Sequence, residues 1–531
     1  MSDLKAAKIL AKQFLQEASL FQLGDLPTEQ CHPKTRELSK LANVAGAKDL
    51  VPTIDLLKSI DLEALKVLES KALLFEDMQR DISSTLSKKG RIYICGCGAT
   101  GRLALSLETI WKQTVAVLEE QPPESVISLM AGGDVALIKA VEGFEDFPEY
   151  GARHLSELGF TKNDLLISST EGGETPYVIG ATEHAVKISS KKPYFVYCNP
   201  DDVLCNKVER SRCVIQNAAI KKISLPIGPM SLSGSTRLQA CTVMMLGIGL
   251  AIFSHKKVRQ KNPLKKEISS FIKLLHDTKF DFLAPFVISE ANLYQQKKRI
   301  LYATNDYGMT VLTDTTERSP TFSLTPFENI QDKPENPALC YLSLCHAKSP
   351  EDGWEKLLGH PPRPLEWKEG HGMTGKKRLL GFDFSHNAEI QRLASSQYQK
   401  FSILREKTDR NQDAMIFSLQ NEKHSIPLLG MPILFEHLLL KVILNIHSLL
   451  VMGRLHRYES NVMTWVKPSN KKLIDRSIRY ILQILRSRNI TSFSYEDVAY
   501  QLFNESAALK DNESVVLRTC ESLMRRNDVS Q

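Results

Sequence analysis

A glycine-rich stretch in the first quarter of the chain carries the sharpest chemical signal, with glycines at three spaced positions: Gly96, Gly98 and Gly101. Residues 91–95 before it predict a strand, and residues 102–113 after it predict a helix. In that setting the loop offers backbone N–H groups and the positive end of a helix dipole to an anion. Thr100 adds a hydroxyl and Arg102 adds a cation, which suits a single phosphate group.

Two other interpretations of this stretch stay open on the residues alone. A dinucleotide-binding fold uses the same glycine spacing and an acidic residue about twenty positions later for the ribose, a place that Glu119 or Glu120 would fill. Alternatively, the glycines serve only to let a strand and a helix pack closely.

Two further loops are rich in hydroxyl groups and glycine, at residues 168–176 and 228–237. Because ligands of open parallel sheets bind beyond the carboxyl ends of the strands, the loops could hold one ligand together. Each hydroxyl could instead cap a helix. Taken together, the three loops predict a sugar phosphate site with these ligand-binding residues: Gly98, Thr100, Gly101, Arg102, Thr170, Gly172, Ser233 and Ser235.

The elements that must position these loops follow an order that occurs twice. Short apolar runs alternate with helical segments, which predicts an α/β fold with parallel sheets covered by helices on both faces. Each half closes with a long apolar helix, at 238–253 and 434–452. The predicted strands are residues 91–95, 125–130, 164–169, 193–197 and 214–225 in the first half and 297–302, 338–344, 379–384 and 414–419 in the second.

The length of 531 residues is too great for one ordinary core. We therefore expect four parts. They are an N-terminal helical lead-in over 1–60, two α/β domains over 61–258 and 259–470, and a small C-terminal helical domain over 471–531.

Composition excludes several classes of protein. A hydrophobic fraction of 42% and a charged fraction of 24% are those of a globular chain, and the net charge of +7 is spread without a basic arm for nucleic acid. The ten cysteines form no CxxC pair and the thirteen histidines show no metal-ligand spacing. We expect a cytoplasmic protein with reduced thiols, no signal peptide or membrane span, and no metal or cofactor.

Several of these motifs, in this order, resemble those of the N-acetylmuramic acid 6-phosphate etherase and glucokinase regulatory protein family. The similar stretches are residues 28–35, 96–103, 131–134, 141–146, 175–179, 234–238 and 453–473. The resemblance implies that each half is a sugar isomerase (SIS) domain and that the two halves pair as a pseudo-dimer. It also implies a sugar phosphate ligand, and it disfavours the dinucleotide interpretation.

The two halves depart from the family pattern in complementary ways. The first half has Ile110 where the etherases carry a catalytic glutamate, whereas Glu317 matches that glutamate in the second half. Glu145 matches the second catalytic carboxylate of the etherases. The lysine that follows the Ser-Thr-Arg motif of the family aligns with Met245 in the first half and with Lys441 in the second.

The resemblance therefore implies that Glu145 and Glu317 are catalytic if the chain is a lyase, and that Lys441 neutralises the phosphate from across the interface. Each residue also has a structural alternative. Glu145 could be a solvated loop carboxylate, Glu317 a carboxylate on a helix surface or cap, and Lys441 a cation extending from an apolar helix.

Two functions of different classes follow from the resemblance. The first is a regulator that binds a sugar phosphate and controls a partner, with a sugar kinase as the candidate partner. The alternative is a lyase that cleaves the lactyl ether of N-acetylmuramic acid 6-phosphate, and an aldose–ketose isomerase is a weaker third. The missing glutamate in the first half and the duplicated layout favour the regulator.

Overall fold

The computed structural model describes residues 2–530 except for 22, 119–120, 142, 261, 333–335 and 511–512. Glu119 and Glu120, the ribose ligands of the dinucleotide interpretation, lie outside the described residues.

The described residues form ten strands and twenty α-helices. The strands are β1 (Ile92–Gly96), β2 (Val126–Met130), β3 (Leu165–Ser169), β4 (Tyr194–Tyr197), β5 (Lys221–Ser224), β6 (Arg299–Thr304), β7 (Cys340–Leu344), β8 (Tyr398–Lys407), β9 (Asp413–Leu419) and β10 (Glu422–Pro427). The helices are α1 (Ser2–Glu17), α2 (Leu38–Ala42), α3 (Ala47–Ser70), α4 (Ala72–Ser87), α5 (Ala99–Leu118), α6 (Pro148–Glu157), α7 (Pro176–Ile188), α8 (Asp201–Lys207), α9 (Glu209–Ile215), α10 (Gln239–Phe253), α11 (Pro263–Asp277), α12 (Leu283–Gln295), α13 (Gly308–Phe322), α14 (Pro350–Leu358), α15 (Lys376–Leu380), α16 (His386–Ala394), α17 (Ile433–Arg454), α18 (Lys471–Ser487), α19 (Tyr495–Ala507) and α20 (Val515–Ser530).

The first half contains a five-stranded parallel sheet, sheet A, in the order β2-β1-β3-β4-β5. Its register sets Ile92 opposite both Val126 and Leu165. The strands β1 to β4 are buried along their whole length, as expected for a sheet with helices on both faces. Because the strands are parallel, the loops after β1 and β3 meet at one edge of the sheet.

The second half contains sheet B, in the order β10-β9-β8-β6-β7. Here the predicted parallel pairing is confirmed for one part of the sheet and corrected for the other. The strand β6 pairs in parallel with β7 and β8, but β8–β9 and β9–β10 are antiparallel pairs. The physical reason is connection length, since a few residues can join antiparallel neighbours but cannot make the crossover that parallel strands need.

Two predicted strands are also corrected. Residues 379–384 are not a strand, because α15 ends at Leu380 and a turn follows, with the Trp354 indole N–H donating to the carbonyls of Leu379 and Phe382 at 3.0 and 3.2 Å. Of residues 214–225, only the β5 portion is a strand, while α9 extends to Ile215. Short buried apolar runs have the same composition in either conformation.

The two apolar helices α10 and α17 lie in a core shared by both halves. A Cβ on Gly249 of α10 would lie only 3.0 Å from Leu434 of α17, so glycine permits this close approach. Among the described helices, α17 alone has the length and composition of a membrane span. Its most apolar window is 89% buried inside the protein, as in a core helix.

The chain ends pack on each other and on the first half. The helix α1 lies against α19, with the rings of Phe14 and Phe503 6.1 Å apart. The helix α18 is tied to the N-terminal segment by Arg476, whose guanidinium lies 2.6 Å from Glu29. All ten cysteines are free thiols, and five of them are buried. The three boundaries between the four expected parts stay predictions.

Candidate functional site

The turn between β1 and α5 uses its glycines for different purposes. A Cβ on Gly96 would lie 2.3 Å from the backbone of Thr100, and a Cβ on Gly101 would lie 2.4 Å from Met130, so these two glycines serve close packing. Gly98 adopts a left-handed φ of +54°, and a Cβ there would meet nothing within 4 Å. This turn therefore leaves open space at Gly98, beside the first turn of α5.

Thr100 closes the same turn internally. Its hydroxyl donates to the Cys97 carbonyl at 2.9 Å and accepts from the Cys97 N–H at 3.1 Å. The hydroxyl therefore holds the loop in shape, and the backbone around Gly98 is the part of the turn that stays accessible.

The loop before α10 contributes Ser233 and Ser235. The Ser233 hydroxyl donates to the Glu29 carbonyl at 2.8 Å, so this side chain has a structural partner. Ser235 is only 5% exposed, and its buried hydroxyl has no hydrogen-bond partner. An unsatisfied buried hydroxyl costs about 1–3 kcal/mol, so Ser235 has a hydrogen bond to offer to a ligand or a water.

The loop after β3 is held by Thr170 and Gly172. The Thr170 and Thr175 hydroxyls lie 3.0 Å apart, and the Gly172 carbonyl accepts from the Asn199 amide at 3.0 Å. The same loop contains two glutamates that the sequence analysis did not select, Glu171 and Glu174.

A lysine from α18 joins these loops. The Lys472 ammonium lies 2.7 Å from the Glu174 carboxylate and 3.8 Å from that of Glu145. Burial raises the pKa of Glu145, and Lys472 opposes that rise. For Glu174, burial also acts to raise the pKa, but Lys472 and Arg210 outweigh it and hold the pKa at about 2. Lys472 is thus a fixed cation between two carboxylates.

Glu171 is a second carboxyl of this region whose pKa is raised. Burial raises the pKa of its carboxyl to about 7, and the Cys241 thiol donates to it at 3.3 Å. Burial raises the pKa of the Cys97 thiol in the glycine turn; Glu145 and Glu171 raise it further, and Lys472 opposes the rise. The helix α18 contacts the loop after β3 and the segment at Glu145 through Lys472, and it contacts the loop before α10 through Tyr480. We use the name sheet A edge for a set of residues from these loops, the glycine turn and α18: Gly98, Glu145, Glu171, Ser235 and Lys472.

The helix α18 is held over the sheet A edge by buried charges. Arg476 and Arg479 lie 2.6 and 3.0 Å from Glu29, and they hold the pKa of that carboxyl at about 2 although burial acts to raise it. The Tyr480 hydroxyl donates to the Ser233 carbonyl at 2.8 Å. These contacts fix the position of Lys472, one turn earlier on the same helix.

The predicted residues Arg102, Glu317 and Lys441 line a cleft between the halves that adjoins the sheet A edge, because Ala99 and the Glu171 donor Cys241 line it too. The Arg102 guanidinium forms an ion pair with Glu317 at 2.6 Å and donates to the carbonyls of Ala136 and Leu137 at 3.2 and 3.1 Å. The cleft has about 40 Å³ of free volume. A water needs roughly 10–15 Å³ on this measure, so the cleft admits a few waters but not a sugar phosphate.

Lys441 reaches across the interface, as its alignment implies, but its ammonium is already engaged. It donates to the carbonyls of Arg237 and Leu238 at 3.0 and 3.2 Å, to the Thr242 hydroxyl at 2.9 Å and to the Asn445 amide oxygen at 2.8 Å. In this arrangement Lys441 holds the start of α10, directly after the loop that carries Ser235.

Lys472, Glu171 and Glu174 were missed for different reasons. Lys472 stood inside the family-like stretch 453–473, but its partner Glu174 is 298 residues away in the chain. Glu171 and Glu174 lie inside a loop that the sequence analysis selected for its hydroxyl groups. Their burial is what marks them as candidates, and burial is not visible in a sequence.

A sequence profile of the glucokinase regulatory protein N-terminal SIS domain matches residues 74–186. The chain is 32% identical over 201 residues to the N-acetylmuramic acid 6-phosphate etherase of Psychromonas ingrahamii, an alignment that covers 37% of this chain and 62% of that protein. It is also 32% identical over 231 residues to the etherase of Salmonella choleraesuis, covering 43% of this chain and 69% of that protein.

Among solved structures, the C-terminal domain of glucosamine-fructose-6-phosphate aminotransferase from Francisella tularensis is 11% identical to the chain. It aligns with a TM-score of 0.33, over 74% of this chain and 96% of that chain.

Proposed function

The chain belongs to the N-acetylmuramic acid 6-phosphate etherase and glucokinase regulatory protein family, and we propose that it binds a sugar phosphate at the sheet A edge. The observation that carries this proposal is the turn at Gly98, which is open to a ligand while its flanking glycines are packed. The unpartnered hydroxyl of Ser235 supports it.

In this proposal the phosphate lies at the Gly98 turn, where backbone N–H groups and the α5 dipole favour an anion. Ser235 donates its free hydroxyl to the same ligand. The carboxylates of Glu145 and Glu171 accept hydrogen bonds from sugar hydroxyls, and Lys472 offsets their charge. The cleft at Arg102 and Glu317 stays outside the ligand site because it is too small.

The similarity to the etherases favours lyase activity at this site. Cleavage of the lactyl ether requires a base that takes the proton α to a carbonyl and an acid that protonates the ether oxygen as its bond to carbon breaks. Two carboxyls with raised pKa values, Glu145 and Glu171, are available for these roles at the sheet A edge. Because Glu317 forms an ion pair with Arg102, we assign the role of the second acid or base to Glu171 instead of Glu317.

One observation favours the regulator instead. The position of the etherase glutamate in the first half is Ile110, a buried apolar side chain that cannot transfer a proton. A protein of this second kind would bind the sugar phosphate without converting it, and a sugar kinase would be the partner whose activity responds.

Binding is tested by thermal shift with fructose 6-phosphate, fructose 1-phosphate, N-acetylglucosamine 6-phosphate and N-acetylmuramic acid 6-phosphate. We expect at least one of them to raise the melting temperature in a dose-dependent way, because a ligand that binds only the folded state stabilises it. Absence of stabilisation by all four at concentrations above millimolar would refute the proposal.

Lyase and regulator are separated by the release of D-lactate from N-acetylmuramic acid 6-phosphate. For the lyase we expect release that is lost in Glu145→Gln and Glu171→Gln and kept in Glu209→Gln, a control on the surface helix α9. Binding without any release, together with a change in the activity of an added glucokinase, would favour the regulator. Loss of release in Glu317→Gln without loss of folding would return the second carboxyl role to Glu317.

A further inference from the structure

A loop of the second half crosses onto the first half and packs on Phe144, the residue before Glu145. Its two ends are joined, since the Leu365 N–H donates to the Thr374 carbonyl at 2.9 Å and the Thr374 hydroxyl donates to the Leu365 carbonyl at 2.5 Å. We call residues 365–374 the crossing loop. Its closure on itself makes it a compact unit rather than a loose connection.

The base of the crossing loop is anchored by Arg363. The Arg363 N–H donates to Asp134 at 2.7 Å, and its guanidinium lies 2.6 Å from Glu108. Burial acts to raise the pKa of Glu108, but Arg363 and its neighbours outweigh it and hold the pKa at about 2. The loop therefore enters the first half at a fixed, ion-paired point.

Trp367 anchors the crossing loop on the first half. Its ring is only 5% exposed and stacks on Phe144, with ring centroids 5.7 Å apart and planes inclined by 16°. The Arg153 guanidinium lies 4.1 Å above the indole, and the indole N–H donates to Glu157 at 2.7 Å. All of these partners belong to the first half.

Phe144 directly precedes Glu145. The Glu145 carbonyl accepts from the Tyr177 N–H at 3.1 Å, which joins this residue to the start of α7. The side chain of Phe144, next to Glu145 in the chain, is also buried, and the Trp367 ring stacks on it. The second half thus contacts the segment that presents the Glu145 carboxylate to Lys472.

We propose that Trp367 is a positioning residue for Glu145, so that the second half sets the geometry of the sheet A edge through the crossing loop. Trp367 itself touches no ligand. Its effect on ligand affinity rests on the proposed function, whereas its effect on the segment at residues 144–147 does not.

Hydrogen exchange of the full chain without ligand tests the positioning itself. We expect Trp367→Leu, which keeps apolar bulk but removes the aromatic stack, to speed exchange of the Tyr177 amide and of residues 144–147 at least tenfold. Trp367→Phe restores a ring and should exchange nearly as slowly as the wild type. Met373→Ala, on the exposed side of the same loop, is the control and should change nothing there.

Unchanged exchange at Tyr177 and residues 144–147 in Trp367→Leu would overturn the inference. A uniform rise that includes β3 and β6 to the same extent would also overturn it, because that result describes general destabilisation. If Trp367→Leu does not fold, Phe144→Leu removes the same stack from the other side and must give the same local increase.

Affinity for N-acetylmuramic acid 6-phosphate, measured by calorimetry, gives the functional readout. We expect Trp367→Leu to weaken binding about tenfold and Met373→Ala to leave it unchanged. If the wild type binds and Trp367→Leu binds equally well, the inference fails while the proposed function stands. If the wild type binds none of the four sugar phosphates, the proposed function fails, and the exchange experiment alone decides whether Trp367 positions the segment.

Discussion

The equivalent turns of the two sheets differ in whether they leave space for a ligand. After β1, a Cβ on Gly98 would meet nothing within 4 Å, whereas after β6 a Cβ on Gly308 would lie 2.7 Å from Leu344. At the second turn the Tyr307 hydroxyl donates to Glu436 at 2.9 Å, and Asn305 bonds to the backbone of Arg405. The second turn is therefore filled by its own side chains.

An unpartnered hydroxyl alone does not distinguish the two regions. Thr304 at the end of β6 also has a buried hydroxyl without a partner, as Ser235 does at the sheet A edge. What distinguishes the sheet A edge is the open backbone turn together with a cation, Lys472, brought in by α18. The first half therefore has an open turn beside a cation and the second half has a filled turn, and the predictions below test whether ligand binding depends on the first half alone.

The largest effect is expected from Glu29 and Glu290, one buried glutamate from each region whose pKa is held at about 2. In each, burial acts to raise the pKa, but basic side chains outweigh it: Arg476 and Arg479 at Glu29, and Arg318 with His447 at Glu290. Because both pKa values lie below the ordinary 4.5, the stabilisation is present above pH 4.5 and is lost as the pH falls towards 2. Each contributes about 3 kcal/mol at pH 7 by this linkage.

Urea unfolding at pH 3, 5 and 7 should therefore show a loss of about 3 kcal/mol at pH 7 in both Glu29→Gln and Glu290→Gln, and a smaller loss at pH 3. The two variants should differ in ligand affinity. Glu29→Gln loosens α18 and so weakens sugar phosphate binding, whereas Glu290→Gln leaves binding intact. Equal effects of both variants on binding would contradict the division between the halves.

The next largest effect is expected from the cation of the sheet A edge. Lys472→Met keeps the aliphatic length and removes the charge beside Glu174 and Glu145, so sugar phosphate affinity should fall at least 30-fold, or about 2 kcal/mol, by calorimetry. Lys471→Met is a matched control on the same helix, since Lys471 forms its ion pair with Glu17 and not with Glu174 or Glu145. A similar loss in both variants would mean that α18 acts through its overall charge.

How far these features follow from sequence differs between the two regions. The sheet A strands and the glycine turn were predicted because their signals are local: a buried run, a spaced glycine set and a helix. The pairing of β8 to β10 and the approach of α18 were not, since they join residues that are distant in the chain or depend on turn length. The structural roles of Arg102 and Lys441 could not be predicted either, because each depends on contacts with the opposite half.

A third effect concerns Glu171, whose pKa of about 7 results from burial. A carboxyl with a pKa above 4.5 in the folded state holds its proton longer when folded, so its contribution to stability is full below pH 4.5 and is lost as the pH rises through 7. Between pH 6 and 8 the wild type should lose about 1.4 kcal/mol of unfolding free energy from this group.

Glu171→Gln should remove that pH dependence, so that the variant is more stable relative to the wild type at pH 8 than at pH 6. Chemical denaturation across this range measures the difference. Glu389→Gln in the second half is the comparison, because Lys400 and His386 outweigh the effect of burial there and lower the pKa. A parallel pH dependence in wild type and Glu171→Gln would show that Glu171 ionises normally.

The smallest effect on affinity is expected from Gly98→Ala and Gly308→Ala, which compare the two turns directly. At Gly98 the added methyl enters open space, so the cost is the left-handed backbone, about 1–2 kcal/mol, together with a several-fold loss of sugar phosphate affinity. At Gly308 the methyl meets the end of the Leu344 side chain, which costs roughly 1–3 kcal/mol of stability by overpacking. Affinity should be unchanged there, because side chains of the second half fill that turn. Unfolding free energies and calorimetric affinities of both variants distinguish a binding turn from a filled one, and equal affinity losses at the two glycines would mean that both edges bind.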